Sequence, residues 1–464
     1  MFRSGFLLLA GLAAPLGCAA TAGTSTSRSL DAEYRRALPA GSLGGATAAE
    51  DRVPRPLDLE VVARSASLDR AAFVRAVLRR NPTIESARQG WRAAIARVRG
   101  AGAFEDPMID VGLAPLSVGP GSAPLGYEVA VSQKLPWFGK RSLEVQAAAA
   151  EAEAAKLDFE GVRRELALAA VVLYDEYFVV TRSIEINAQH IELMRAMRGG
   201  AVAEFESGRG SAQDPLQAES ELTHLEHDAA VLASSRDVAV AQMNELLHRD
   251  PAEPLPPPPK DLPAPVDADV REPGRLEARA VATRPEILAA RERARAEHAR
   301  AERASRDAYP DVTLSTSYSS MWNMWQHRWT VGVGFTLPIQ AGARTAAADE
   351  ATAMKAAFES DARRLEASAR TEVYVATKRL EESRHVLGLF EERLIPVARD
   401  RIDAARAGFT ASRNPFTAVI EAERNLRTVE LDYETARAEC DRRHAELERA
   451  LGLVPGLGGA ADGR

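Results

Sequence analysis

Glu221 and His224 have the Glu-x-x-His spacing of half a di-iron carboxylate site, three residues apart in a helical stretch. Such a centre needs paired copies with further carboxylates, and one copy in a charged helix does not make it. Together with His227 in the same charged run, these residues read as a solvated helix face. Met321, Met324 and His327 offer soft thioether and imidazole donors suited to copper. They share a loop with Trp322, Trp325 and Trp329, so a loop at a membrane edge is the better reading. The only cysteines are Cys18 and Cys440. If Cys18 is modified or removed, no internal disulfide can form, and Cys440 reads as a small buried hydrophobe. No Walker A, G-x-G-x-x-G, G-x-S-x-G or H-E-x-x-H pattern occurs. The expectation is therefore no enzyme, no cofactor and no resident metal.

Composition narrows the remaining classes. Charged residues make up 27% of 464 positions and the formal net charge is −7, so there is no basic surface for nucleic acid. Mean hydropathy of −0.22 excludes a bundle of membrane helices. After the N-terminus no apolar run reaches the ~20 residues of a spanning helix. Membrane contact is left to a lipid, an amphipathic face or a β-barrel.

Residues 1–17 read as a targeting segment, with Arg3 followed by the short apolar core Phe6–Leu16. Leu16-Gly17-Cys18 resembles a lipoprotein signal in which Cys18 becomes the acylated first residue, although Pro15 stands where that signal usually has Leu. The alternative is ordinary cleavage after Ala20-Thr21-Ala22. Ala19, following the cysteine, is compatible with sorting to the outer membrane. Ala19–Ser67 is rich in Ala, Gly, Ser and Pro and reads as an extended tether.

From Leu68 the elements emerge by period. Phe73, Val74, Val77 and Leu78 follow helical spacing, and Pro82 opens a second helix through Trp91, Ile95 and Val98. Strands are expected at about 108–113 and 127–133, alternating Ile109, Val111 and Leu113 against Asp110 and Gly112, and Tyr127, Val129 and Val131 against Glu128, Ala130 and Ser132. Leu135-Pro136 ends the second strand and switches the chain into a helix expected from Arg141 to Arg198, ~85–90 Å long. Gly199-Gly200 and Gly208-Arg209-Gly210 mark its far end. Asp214-Pro215 fits a helix start, with Asp214 as cap. The return helix ends near Leu247, and Pro251–Pro265 is a stiff proline-rich connector.

The same series then recurs. Asn81-Pro82-Thr83-Ile84 matches Arg284-Pro285-Glu286-Ile287 at an offset of 203. Val129, Val131, Leu135 and Pro136 match Val331, Val333, Leu337 and Pro338 at 202. Phe205, Arg209, Ala218, Glu219 and Leu222 match Phe409, Arg413, Ala422, Glu423 and Leu426 at 204. A series in order at nearly fixed offset implies duplication of a helix–hairpin–helix unit. Further strands are expected at about 311–318 and 329–336, each with one apolar and one small or polar face. Four strands cannot close a barrel, whereas three chains would supply twelve around a watery lumen. Tyr127, Tyr318 and the three Trp would form an interfacial girdle.

The set resembles the TolC-like outer membrane factors. The resemblance covers about Leu68–Leu453 and rests on the duplication, the turn Leu135–Lys140 (LPWFGK) and the tip pattern of Phe205, Gly208, Ala218 and Leu222. Gln133–Lys140 is most similar to the heavy-metal efflux branch. The implied fold is a mixed α+β membrane protein. Its duplicated helix–β-hairpin–helix unit gives four strands per chain to a trimeric twelve-strand barrel continued by a long α-helical coiled-coil barrel.

The implied function is the passive outer membrane exit duct of a tripartite efflux system, a homotrimer in outer membrane lipid that works with a periplasmic adaptor and an inner-membrane pump. Heavy-metal cations or small toxic compounds would be the cargo. A type I protein-secretion duct and a non-pore periplasmic coiled-coil adaptor are the alternatives. The organisation expected is a signal peptide at 1–17, a lipidated tether at 18–67, a first repeat at 68–250, a connector at 251–270, a second repeat at 271–453 and a flexible tail at 454–464. The family's tip acid falls on Asp214, its tip aromatic on Phe409 and a further constriction acid on Glu421. Its constriction arginine falls on Asn414, beside Arg413. These four, Asp214, Phe409, Arg413 and Glu421, are the implied gate, and Leu135, Pro136, Leu337 and Pro338 are the strand–helix switches.

Overall fold

The computed structural model describes residues 21–36, 67–114, 126–136, 139–262, 272–322, 324–411 and 413–457. Cys18 and the targeting segment, Trp137, Phe138, the loop at Gly119-Pro120-Gly121, the connector from 263 to 271 and the last seven residues lie outside the described set.

The elements in order are α1 (Thr21–Arg36), α2 (Arg70–Arg80), α3 (Pro82–Ala101), β1 (Met108–Ala114), β2 (Gly126–Leu135), α4 (Lys140–Glu206), α5 (Gln213–Leu246), α6 (Pro273–Thr283), α7 (Pro285–Arg306), β3 (Val312–Ser319), β4 (Trp329–Phe335), α8 (Ala341–Leu389), α9 (Ile395–Thr410) and α10 (Phe416–Ala450). Among the described residues no helix is long and apolar enough to cross a membrane. Contacts divide the chain into two compact units. One takes in Met1–Ala48, Ala87–Phe159 and Glu286–Leu365; the other takes in Ala49–Ser86, Glu160–Pro285 and Glu366–Arg464.

The first unit holds one antiparallel sheet in the order β1-β2-β3-β4. Its register stacks like on like. Ile109 faces Val131, Val111 faces Val129, Val131 faces Thr316 and Thr316 faces Val331. Because successive side chains alternate, this puts the large apolar strand residues, Met108 excepted, on one face. Asp110, Ala130, Ser317 and Thr330 cross the other face. Below the sheet, Trp91, Ile95 and Val98 of α3, Ala147, Ala150 and Phe159 of α4, and Ile287 and Ala290 of α7 are buried. Alanine lets helix backbones approach closely, and ion pairs such as Arg303–Glu144 (2.8 Å) and Arg293–Asp158 (2.5 Å) run between α7 and α4. Exposed pairs of this kind contribute only about 0–1 kcal/mol each, so they set register more than stability.

The stretch from 19 to 67, expected to be extended, contains α1. Its Ser27, Leu30 and Tyr34 are buried, and Tyr34 meets Trp91 edge-on at 5.1 Å. Ala, Ser and Thr give the segment no apolar stripe to betray it, and tertiary packing supplies the helix.

In the second unit, Phe73, Val74 and Val77 of α2 pack with Tyr174 and Phe178 of α4 and with Met243 of α5. Tyr174 donates its hydroxyl to the Leu68 carbonyl (2.7 Å), and Leu68 N–H donates to Pro257 O (2.8 Å). The described part of the proline-rich stretch is therefore laid onto the core. α4 has 67 residues, ~100 Å, and runs through Gly199-Gly200 instead of ending there. Each glycine costs about 1 kcal/mol in a helix, which burial of Met194 and Ala201 on either side offsets. Between α8 and α9, Phe390–Leu394 form one π-helical turn. Pro396 follows, with no N–H to donate and a ring that crowds the preceding turn, and the wider turn absorbs it.

Candidate functional site

Two places carry the features of interest, one in each unit. The first is the switch at Leu135-Pro136. β2 ends at Leu135, since Pro136 has no N–H for the ladder. Gly139 then turns with φ of 74°, a conformation open to glycine at no steric cost, and a Cβ there would collide with the Arg306 guanidinium. Lys140 opens α4 and is buried. Its Nζ donates to Asp311 Oδ1 (2.8 Å) and to the Tyr309 carbonyl (3.0 Å), with Asp307 Oδ1 at 3.4 Å. A lysine at a helix N-terminus opposes the helix dipole, so these two acids must hold it. Gln133 donates to Glu105 O (2.7 Å), and the Arg141 guanidinium lies 3.6 Å from the Phe104 ring centroid. The end of α3, the end of β2, the start of α4 and the end of α7 are tied in one knot. Sequence reasoning placed Lys140 here but missed its partners, which are about 170 positions away.

The second switch has no such knot. Leu337 is exposed and Pro338 half-buried, and no lysine follows. A cleft of about 220 Å³ runs from Lys140 and Asp311 to Pro338 and Arg344.

The second place is the pair of helix–helix turns. Asp214 is not the cap expected of it. α5 begins one residue earlier, at Gln213. Ser211 Oγ accepts the Gln213 N–H (3.2 Å) while the Asp214 carboxylate reaches back to accept the Ser211 N–H (3.3 Å). The pair resembles a capping box, although the N-cap position is Ala212, whose side chain caps nothing. Phe409 is half-buried and meets Phe416 with tilted rings, centroids 5.3 Å apart, against the core made by Met194, Leu225 and Ile420. Arg413 and Glu421 are exposed. The structure thus brings Phe409 into packing and leaves Asp214, Arg413 and Glu421 at the surface of the single chain.

Behind these turns lies a set of buried charges not expected from sequence. Glu221, expected on a solvated face, is buried and takes an ion pair from Arg424. His224 and His227 are exposed, as expected. His190 of α4 places Nδ1 2.5 Å from Glu423 Oε1 and Nε2 3.0 Å from Glu430 Oε2. Burial alone would favour the neutral ring, but hydrogen bonds to both carboxylates outweigh it and raise the imidazole pKa to about 9. Further along, Arg70 stands 3.7 Å from Asp175 and 3.3 Å from Asp441, with Asp175 fully buried. Burial pushes Asp175 up to about 8 despite that arginine. Cys440 is a buried free thiol. Among the described residues no cluster of His, Cys, Asp and Glu could hold a metal.

Residues 276–453 match the family model described as outer membrane efflux protein. No curated protein sequence matches the chain. Among solved structures, the outer-membrane channel OprN is similar at 22% identity, with a TM-score of 0.70 over 82% of this chain and 89% of that one. CusC gives 17% identity and a TM-score of 0.71 over 84% and 94%. The outer membrane protein VceC from Vibrio cholerae gives 17% and 0.70 over 83% and 96%. At such identities the likeness is one of fold. Residues 276–453 thus resemble the outer membrane efflux protein family, and the chain as a whole has the fold of the TolC-like outer membrane factors.

Proposed function

We propose that this chain is the passive outer membrane exit duct of a tripartite efflux system, acting as a homotrimer with a periplasmic adaptor and an inner-membrane pump. One observation carries the reading: the sheet is inside out. Val331 is 77% exposed and Ile109, Val111 and Phe335 are similarly bare, whereas the opposite face is small and polar. A soluble sandwich buries its apolar faces. A sheet that shows its apolar face outward suits hydrocarbon, with Asp110, Glu128 and Thr330 turned to a wet lumen.

β1 and β4 are unpaired edges in the single chain. Three copies of a duplicated unit close twelve strands, β4 of one against β1 of the next, and the long helices continue as a tunnel. The rim at its far end would carry Asp214, Arg413 and Glu421 as a charged gate, with Phe409 bracing the turn from behind. Cys18 would carry the lipid. The turn Leu135–Lys140 supports metal cations or small toxic compounds as cargo.

The test is conduction. Protein purified in detergent should run as a trimer and conduct ions in a planar bilayer, and Asp214→Ala should alter conductance or cation preference. A monomer without conductance would remove the duct, and an unchanged channel would remove Asp214 from the gate.

A further inference from the structure

We propose that the duct opens by a swing of its tip about the π-helical turn Phe390–Leu394, the tip being α9 with the neighbouring ends of α4, α5 and α10. This rests on the duct reading above and adds to it the place where the chain bends.

Apolar packing in the second unit falls into separate cores. On one side of the π turn, Val373, Ala376 and Leu380 of α8 pack with Cys440 and Leu447 of α10. On the other side, Ile402 and Ala405 of α9 pack with Val419 and Ala422 of α10, and Met194 and Leu225 pack with Ile420. Among the described residues, α10 buries no apolar side chain between Ala422 and Ala438, α8 and α9 none between Leu380 and Ala398, and α5 none between Leu225 and Ala239. Between Phe178 and Met194, α4 buries only Ile186.

These gaps lie at one level, because polar contacts join them. Asn187 of α4 donates to the Leu225 carbonyl (2.9 Å), and Arg427 of α10 donates to Asp228 of α5 (2.8 Å). Tyr433 of α10 donates its hydroxyl to Glu391 Oε1 of the π turn (3.1 Å). The pairs His190–Glu423 and Arg182–Glu434 belong to the same layer. Interlocked apolar side chains resist sliding past one another, whereas ion pairs and hydrogen bonds near water yield by exchanging partners. A polar waist thus separates the tip from the rest of the unit.

Of the helical paths that cross the waist, only that of α8 and α9 is broken, and it breaks at the waist. Ile395 N–H donates five residues back, to the Phe390 carbonyl. Pro396 has no N–H, so the Glu391 carbonyl finds no donor four or five residues ahead. A gap in the ladder is where helices kink. Glu391–Leu394 are exposed, so a bend there uncovers no core.

Chain length gives the turn its origin. Pro136 and Phe205 are 69 residues apart, whereas the matching Pro338 and Phe409 are 71 apart. A turn closed from i to i+5 holds one residue more than an α turn, so the π turn stores part of this surplus.

The test uses the full chain, purified in detergent and placed in planar bilayers. In one variant Glu392 is deleted and Pro396→Ala restores the missing donor, which makes the path one unbroken α-helix. Its transitions between open and closed should become at least tenfold rarer, with a melting temperature no lower than the parent's. Tyr433→Phe removes the tie to Glu391 and should make the transitions at least threefold more frequent. Spin labels on Asp403→Cys, in a background without other thiols, should give a broad spread of distances between copies in the parent and a narrow one in the deletion variant. Labels on Lys378→Cys, across the waist, should be narrow in both. If the deletion variant does not assemble, Pro396→Ala alone carries the test, with transitions at least threefold rarer. Transitions and label distances that match the parent's overturn the hinge. A parent that neither forms a trimer nor conducts overturns the duct reading, and the hinge with it.

Discussion

The side-chain amide of Asn414 lies over the α-carbon of Gly408, where a Cβ would otherwise stand. The Gly408 carbonyl meanwhile accepts the N–H groups of Arg413 (2.8 Å) and Asn414 (3.2 Å). In the first turn the same carbonyl role falls to Glu204, which accepts from Arg209 (3.0 Å) and Gly210 (2.9 Å). The bulk is reversed there: Glu204 has the side chain, and a Cβ on Gly210 would stand 3.0 Å from Phe205 N. One turn geometry is thus filled from opposite sides in the two turns.

Gly408→Ala should reveal this as a change of sign. The added methyl overlaps Asn414 at a cost of about 1–3 kcal/mol, against about 1 kcal/mol gained from better helix propensity. Net destabilisation by about 1 kcal/mol is expected. In an Asn414→Gly background the overlap is gone, and the same substitution should stabilise by about 0.5–1 kcal/mol. Thermal unfolding of the four proteins in the cycle measures it. Additive effects would mean that the two residues do not compete for the space.

The sheet's two faces predict opposite tolerance. Val331→Arg puts a charge on the bare apolar face and should cost about 2–4 kcal/mol of folding in a bilayer. Thr330→Arg, one residue away on the other face, should be accepted. Folded yield in vesicles, read by heat-modifiable migration, compares them. Equal tolerance would mean that neither face meets lipid.

These faces were legible because alternation is a local property, visible in any seven residues once Ile109, Val111 and Leu113 are seen beside Asp110 and Gly112. The turn pattern at Leu135-Pro136 was legible for the same reason. What stayed hidden depends on partners remote in sequence. Glu221 looks like any solvated glutamate until Arg424 is brought to it, and Lys140 looks like a surface base until Asp307 and Asp311 enclose it. Gly199-Gly200 misled in the other direction, since helix-breaking propensity is a local cost that packing of Met194 and Ala201 overrides. For Asp214 the signal was present in Ser211, three residues back, whose N–H its carboxylate accepts from inside the helix instead of capping it.

Lys140 gives the third expectation. Lys140→Met leaves Asp311 and Asp307 without their shared cation, and with both acids partly open to water the loss should be on the order of 2 kcal/mol. Lys140→Arg should not restore it. The site binds a compact ammonium through two carboxylates and a carbonyl, and a planar fork cannot present donors to all three. Full recovery with arginine, in the melting temperature of the protein, would reduce the knot to charge alone.

His190 supplies a pH dependence with a defined sign. Its pKa in the folded chain is about 9, against 6.5 for an unperturbed imidazole. The folded state therefore binds the proton more tightly than the unfolded one. The stability this contributes is fully present below about pH 6.5 and declines as pH rises through about 9. Glu423 and Glu430 face the ring from α10, and Arg399 of α9 approaches Glu430 at 3.7 Å, so losing the imidazolium leaves the fully buried Glu423 without its cation. The melting temperature should fall between pH 7 and 10. His190→Gln should lower it at pH 7, by on the order of 3 kcal/mol, and flatten that decline, because a neutral amide cannot titrate. A His190→Gln protein with the same alkaline slope as the parent would assign the titration to another group.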